Sequence, residues 1–252
     1  MLSSPDWIRT SWHACRNLLR ARLAVHRRES MPSASSSAAS SSSFGVSVPI
    51  RSLGPQHRER IAQHLLALEP NDRYLRFGFA ATDEQVRRYA EQLDFERDEI
   101  FGIFNRRLDL IATAHLAFAA QPGHPGCAEF GVSVLRRARG RRFGARLFER
   151  AVMHARTAGV SMVFIHALSE NTAMLKIARR AGATVRRDGS ESEAYLELSP
   201  PGRGTHMAEL MTLHCGEANY QLKKQARQFW KFLSGVQEVR QGVRSGRHRA
   251  AE

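Results

Sequence analysis

Residues 129–147 constrain the fold more than any other stretch of the chain. Glu129-Phe130-Gly131-Val132-Ser133-Val134-Leu135 alternates large and small side chains and is rich in β-branched residues, which is the pattern of a strand. Arg136 to Arg142 follow as a Gly-containing turn. From Phe143 the apolar positions Phe143, Leu147, Ala151 and Val152 recur at helical spacing. A strand running through such a turn into a helix leaves the first helical amides unpaired and pointing outward. Those donors and the helix dipole suit an anion such as a phosphate. Seven arginines fall between positions 136 and 150 against one acid, Glu149, so the turn predicts an anion-binding site.

The rest of the core follows from periodicity and breakers. Val46 to Ile50 alternates as a first strand. Gly54-Pro55 then opens a helix with Ile61, Leu65, Leu66 and Leu68 on one face, and Pro70-Asn71-Asp72 stops it. Thr82-Asp83-Glu84-Gln85 is an N-cap and capping box for a helix to about Leu93. Ile100–Phe104 and Leu110–Phe118 read as strands joined by the turn Asn105-Arg106-Arg107, and Gln121–Gly126 as a Pro/Gly loop. Val160–Leu168 reads as a buried strand. A helix follows from Ser169-Glu170-Asn171 to Ala181-Gly182-Ala183, then a hairpin of Thr184–Arg187 and Ala194–Leu198 around Asp188-Gly189. This order predicts an α+β domain, a mixed and mostly antiparallel sheet with helices on its faces.

The strand–turn–helix resembles the acetyl-CoA site of the GNAT N-acetyltransferase superfamily, whose phosphate loop reads Arg or Gln, two residues, Gly, one residue, then Gly or Ala. Arg139, Gly144 and Ala145 fit that loop, and Arg142 stands at its middle glycine. Family members also carry an Asn and a Gly eleven residues apart on the next helix, where this chain has Asn171 and Gly182. The segment Asp72-Arg73-Tyr74-Leu75-Arg76-Phe77 resembles a phrase near the acceptor pocket, including that of bacterial protein-lysine acetyltransferases.

The resemblance spans Val46 to Leu198 and implies a GNAT-like acyl-CoA N-acyltransferase fold with acetyl-CoA as co-substrate. It further implies transfer of an acetyl group to a primary amine of a small molecule or a protein lysine. The cofactor-binding residues it implies are Arg139, Arg141, Arg142, Phe143, Gly144 and Ala145 at the phosphates, with Asn171 nearby. Backbone groups of Val132 and Val134 would hold the pantetheine arm, and the Val134 amide would polarise the thioester carbonyl. Glu129 matches a glutamate that acts as general base in related enzymes. Many members place a tyrosine seven residues after the Asn as general acid; that position is Ala178, which leaves Tyr74 and Tyr195 as substitutes. His115 and His166, in strands, read as core histidines. Arg142 and Ala178 favour a different class of function, a non-catalytic acyl-CoA-binding module that engages a partner through basic tails.

The domain boundaries follow from composition. Residues 1–43 join a basic amphipathic stretch to positions 33–43, which hold only serine and alanine and read as a disordered linker. The opening stretch reads either as a surface-binding or targeting helix or as sequence upstream of a start at Met31. Residues 44–198 form the GNAT-like domain. Residues 199–252 form a basic helical extension, in which Leu222, Ala226, Phe229, Leu233 and Val236 make a stripe for the domain's own core or for a homodimer. The net charge of +14 is spread over all three parts, and no basic patch interleaved with aromatics points to nucleic acid. Cys15, Cys127 and Cys215 are too few and too scattered for a disulfide framework or a metal pair, which suits a cytoplasmic protein. No apolar run reaches the roughly 18 residues of a membrane span.

Overall fold

The computed structural model describes residues 48–118, 126–200, 216–218 and 220–225. The 1–43 segment, almost all of the 121–126 loop and the stripe beyond residue 225 lie outside the described residues. Seven strands form one sheet in the order β1-β2-β3-β4-β5-β7-β6. They are β1 (Arg51–Ser52), β2 (Glu99–Phe104), β3 (Leu110–Phe118), β4 (Gly126–Val134), β5 (Val160–Leu168), β6 (Thr184–Asp188) and β7 (Glu191–Glu197). The described helices of the domain are α1 (Arg58–Leu66), α2 (Pro70–Phe77), α3 (Asp83–Glu91), α4 (Phe143–Thr157) and α5 (Thr172–Arg180). Neighbouring strands are antiparallel except β4 and β5, whose parallel pairing needs the crossover that α4 supplies. The α+β sheet flanked by helices is the architecture the sequence implied.

Strand alternation divides the interior between the two faces. On β2, Phe101 and Ile103 join the cluster of Phe130, Leu147, Phe148 and Leu175 beneath α4 and α5. Ile100 and Phe104 join Ile61, Leu65, Phe77 and Val86 beneath α1 to α3. On β4 the same alternation turns Phe130 toward α4 and leaves Glu129, Gly131 and Ser133 on the α1–α3 face.

Local signals explain several element ends. Thr82 and Gln85 exchange both capping-box bonds at the start of α3. Asn171 caps α5 by accepting from Met174 N–H at 3.1 Å, and Gly182 ends that helix with φ +87, a conformation that costs glycine little.

Several expectations are corrected. β1 holds Arg51–Ser52; of the expected strand Val46–Ile50, residues 48–50 have no ladder partner and residues 46–47 lie outside the described residues. α1 ends at Leu66, ahead of Pro70 as expected, but Pro70 also opens α2 at its first turn, where a missing N–H costs nothing. At the C-terminal end, helical residues 216–218 and 220–225 pack on the β1 edge. Glu217 pairs with Arg51 at 2.7 Å, the Arg51 guanidinium lies 3.8 Å from the Tyr220 ring centre, and Lys223 Nζ donates to the Phe104 carbonyl. Leu222, by contrast, is 65% exposed, so the first residue of the apolar stripe faces away from the domain. Cys127 is disulfide-bonded, which its sequence distance from the other cysteines did not suggest, since spacing along the chain carries no information on approach in space. No helix among the described residues is long and apolar enough to cross a membrane.

Candidate functional site

The site begins where two strands part. β4 pairs with β5 from Gly126 to Glu129, with Glu129 opposite Phe164, and the ladder ends there. Beyond that point β4 stays with β3 to the Val134–Ala112 pair, while β5 stays with β7 to the Leu168–Glu191 pair. The divergence opens a cleft of about 770 Å³. Leu135 N–H donates to the Ile111 carbonyl at 3.0 Å, which fixes the alternation along β4. Odd-numbered residues turn their amides to β3, the Phe130 amide faces Phe164 in the last rung of the β4–β5 ladder, and Val132 and Val134 turn theirs to the open side. An extended ligand arm can therefore bond to β4 as an added strand would.

The phosphate-sized end of the cleft is the 136–145 turn. Arg136–Ala138 form a single 3-10 turn, Gly140 has φ +77, and Arg142 stands at the N-cap of α4 with φ 59 and ψ 19. That is left-handed backbone, which accounts for the glycine that the resembled loop has here. Arg142 provides no side-chain cap, so the amides of Phe143, Gly144 and Ala145 lack a partner within the helix. Arg142, Phe143, Gly144 and Ala145 all line the cleft; Arg141 is exposed and lies outside the lining. Arg139 lines it as well, but its side chain is engaged. Nε donates to the Val134 carbonyl at 3.2 Å and Nη2 pairs with Asp72 Oδ2 at 2.6 Å. Lys176 and Arg180, one turn apart on α5, bring two further cations to the same cleft. Sequence reasoning missed both, because the side chains of a basic helix end read as ordinary surface.

Glu129 lies at the other end, at the fork itself. Burial pushes its carboxyl up to about 7, and the Arg76 guanidinium opposes part of that rise. A carboxyl that titrates near neutrality can take a proton from an ammonium group and release it again. Arg76, from α2, lies flat on Gly131, where an added Cβ would come within 2.8 Å of its Cζ. The sequence had placed Arg76 in an acceptor-pocket phrase without a role.

Other expectations fare differently. Asn171 lines the cleft, yet its side chain caps α5 and donates to the Leu75 carbonyl at 3.3 Å, tying α5 to α2. Val134 stands five residues from Glu129, about 16 Å along an extended strand. Val132, three residues from Glu129, is the open amide nearer the fork. Ala178, on the inner face of α5, is fully buried and is not among the residues lining the cleft. Tyr74 and Tyr195 are absent from the lining, and the Tyr195 hydroxyl donates to Glu193 instead. His166 lines the cleft with Nε2 3.6 Å from Glu191. His115 is a bonded interior histidine, as expected, but its partners Tyr89 and Asp98 were not foreseen.

Comparison with known proteins bears on the family and the fold. A family model described as an acetyltransferase (GNAT) domain matches residues 48–184. Among solved structures, the GNAT domain of S. lividans PAT shares the fold, with a TM-score of 0.50 and 21% identity over 59% of this chain and 89% of that one. Spermidine N-acetyltransferase from Vibrio cholerae, solved with CoA and spermine, matches at a TM-score of 0.47 and 16% identity over 59% of this chain and 94% of that one. No curated protein matches by sequence. With more than half of its length inside the matched domain, the chain belongs to the GNAT acetyltransferase family.

Proposed function

We propose that the protein transfers an acetyl group from acetyl-CoA to a primary amine, either of a small molecule or of a protein lysine. The observation that carries this reading is Glu129, a carboxyl pushed up to about 7, at the fork where the open edge of β4 begins. The rest of the cleft fits the co-substrate. First-turn amides of α4, with Lys176 and Arg180 beside them, suit its phosphates. The open amides and carbonyls of β4 suit its pantetheine arm, with Val132 central to that edge.

In this reading Glu129 accepts the proton of the acceptor's ammonium group, directly or through a water. The neutral amine then attacks the thioester carbonyl, and the amide of Val132, first on the open side after the fork, donates to the developing oxyanion. Bond formation to nitrogen and loss of the thiolate complete the transfer; the thiolate is a fair leaving group, and no acid is assigned to it. A thiol-release assay with acetyl-CoA against a panel of amines and proteins tests the reading, and at least one acceptor should release thiol above the hydrolytic background. Buried Ala178, which leaves the family's usual acid position without a hydroxyl, favours a second reading as a non-catalytic acyl-CoA-binding module. Tight acetyl-CoA binding without release on any acceptor would select that second reading.

A further inference from the structure

A line of buried polar groups runs from the cleft into the sheet, and the chemistry proposed above does not use it. Arg76 Nη2 donates to the Tyr89 hydroxyl at 2.9 Å, and the guanidinium carbon lies 5.5 Å from the Tyr89 ring centre. The Tyr89 oxygen is 2.8 Å from His115 Nδ1, and His115 Nε2 is 3.0 Å from Asp98 Oδ2. Asp98 also receives Arg97 Nε at 2.8 Å, Arg97 Nη2 at 3.0 Å and the Phe118 amide at 3.2 Å.

These contacts give the line a direction. With so many donors around it, the Asp98 carboxyl is held down at about 2 and is an acceptor alone. His115 Nε2 must therefore carry a hydrogen. Burial keeps the ring neutral, so Nδ1 presents a lone pair and accepts the Tyr89 O–H. The phenol oxygen then accepts from Arg76. The guanidinium is thus held at one end of a directed chain whose other end is anchored in a carboxylate, and it sits on Gly131, two residues from Glu129 on the same strand face.

We propose that Asp98, His115 and Tyr89 are positioning residues that hold Arg76 beside Glu129 and so set the pH range over which that carboxyl exchanges its proton. The charged and titratable groups around this pair come from several elements. Arg76 comes from α2, Tyr89 from α3 and His115 from β3, with Asp98 and Arg97 just before β2. On β5, His166 faces the cleft with Glu191 of β7 behind it. From α1, His64 reaches Ser133, two residues past Gly131, at 2.8 Å, and burial holds it neutral, with a pKa lowered to about 4. Arg76 is the cation among them that opposes the burial of Glu129.

The kinetic part of this inference rests on Glu129 acting as base, so the primary measurement avoids activity altogether. Carbon-13 NMR of the Glu129 carboxyl is followed through a pH titration of the full chain without acetyl-CoA. Arg76→Gln should raise the titration midpoint by about one unit or more, since an opposite charge that close is worth that much. Tyr89→Phe keeps the ring and Arg76, yet should move the midpoint in the same direction by a smaller step. His115→Asn cuts the chain one bond further along and should act likewise. A midpoint that moves in Arg76→Gln but stays at the parent value in both folded relay variants would overturn the proposal. In assays, the acid limb of kcat should follow the NMR midpoint while the KM for acetyl-CoA stays constant. An NMR shift without a matching kinetic shift would leave the relay standing and overturn the assignment of Glu129 as base.

Discussion

At the scale of single residues, Glu129 and Arg142 are the two places where the chain departs from the bland choice. The Glu129 carboxyl, pushed up to about 7, is mostly protonated below that pH and becomes a competent base above it. Activity should therefore rise with pH through neutrality. Glu129→Gln keeps the shape and removes the acceptor, so kcat should fall on the order of 10²-fold while acetyl-CoA affinity barely changes. A variant with the parent's rate and pH profile on a genuine acceptor would remove Glu129 from the mechanism. Arg142 pays about 1 kcal/mol for its left-handed backbone, a strain glycine does not feel. Arg142→Gly should raise the melting temperature slightly and change acetyl-CoA affinity by no more than about tenfold, or about 1.4 kcal/mol. Complete loss of binding in calorimetry would mean that the arginine side chain, rather than the backbone turn, holds the ligand. Glu129 and the arginine turn were legible in the sequence because strand, turn and helix start are contiguous. Arg76, Tyr89, His115 and Asp98 were not, since their bonds join residues 13, 26 and 17 positions apart on separate elements.

At the scale of elements, the site is a contrast between a ladder that stops and a helix that starts. Alternation and breakers were enough to find β3 and β5 with their observed limits, Leu110–Phe118 and Val160–Leu168. They could not show that β4 and β5 separate after Glu129, because nothing local in either strand records where its neighbour leaves. The second role of Pro70 was missed for a related reason: proline forbids a helix interior but suits a first turn, and whether a new helix follows depends on where the chain goes next. The helix end makes a sharper prediction. Gly144 is the second residue of α4, and a Cβ there would lie 3.2 Å from Ile177 Cδ1 on α5 and 3.9 Å from Val134 Cγ2. The branched methyls of Gly144→Val would press Ile177 aside and crowd the first-turn amides from both walls. The protein should still fold, because the nearest atom is the tip of a flexible side chain. Acetyl-CoA binding should weaken more than tenfold in calorimetry. Parent affinity in a folded Gly144→Val protein would take the α4 terminus out of the binding site.

At the scale of the whole molecule, opposing buried groups shape how stability depends on pH. His64 is 2% exposed, and burial lowers its pKa from 6.5 to about 4. Between those values the unfolded chain binds the extra proton, so stability is lost as pH falls from 6.5 toward 4. His57 and His115 are lowered too, chiefly by burial, and act in the same direction. Glu129 acts in the opposite direction. Its folded pKa of about 7 lies above the ordinary 4.5, so between these values the folded state binds the extra proton and stability falls as pH rises. Each shift of this size is worth on the order of 3 kcal/mol, so Glu129 offsets roughly one histidine. Glu129→Gln deletes that offset. At pH 8 the variant should be more stable than the parent by up to about 3 kcal/mol, because a buried carboxylate has gone. Toward pH 4.5 the difference should shrink to near zero, and the variant should show the steeper acid loss of its uncompensated histidines. Thermal denaturation of both proteins from pH 4.5 to 8 reads this directly. A constant difference across the range would mean that Glu129 titrates as an ordinary surface acid, and its stability gain and its catalytic role would both be withdrawn. A difference that closes on acidification would mark the carboxyl as one that the fold carries at a cost in stability, as is expected of a group kept for its chemistry.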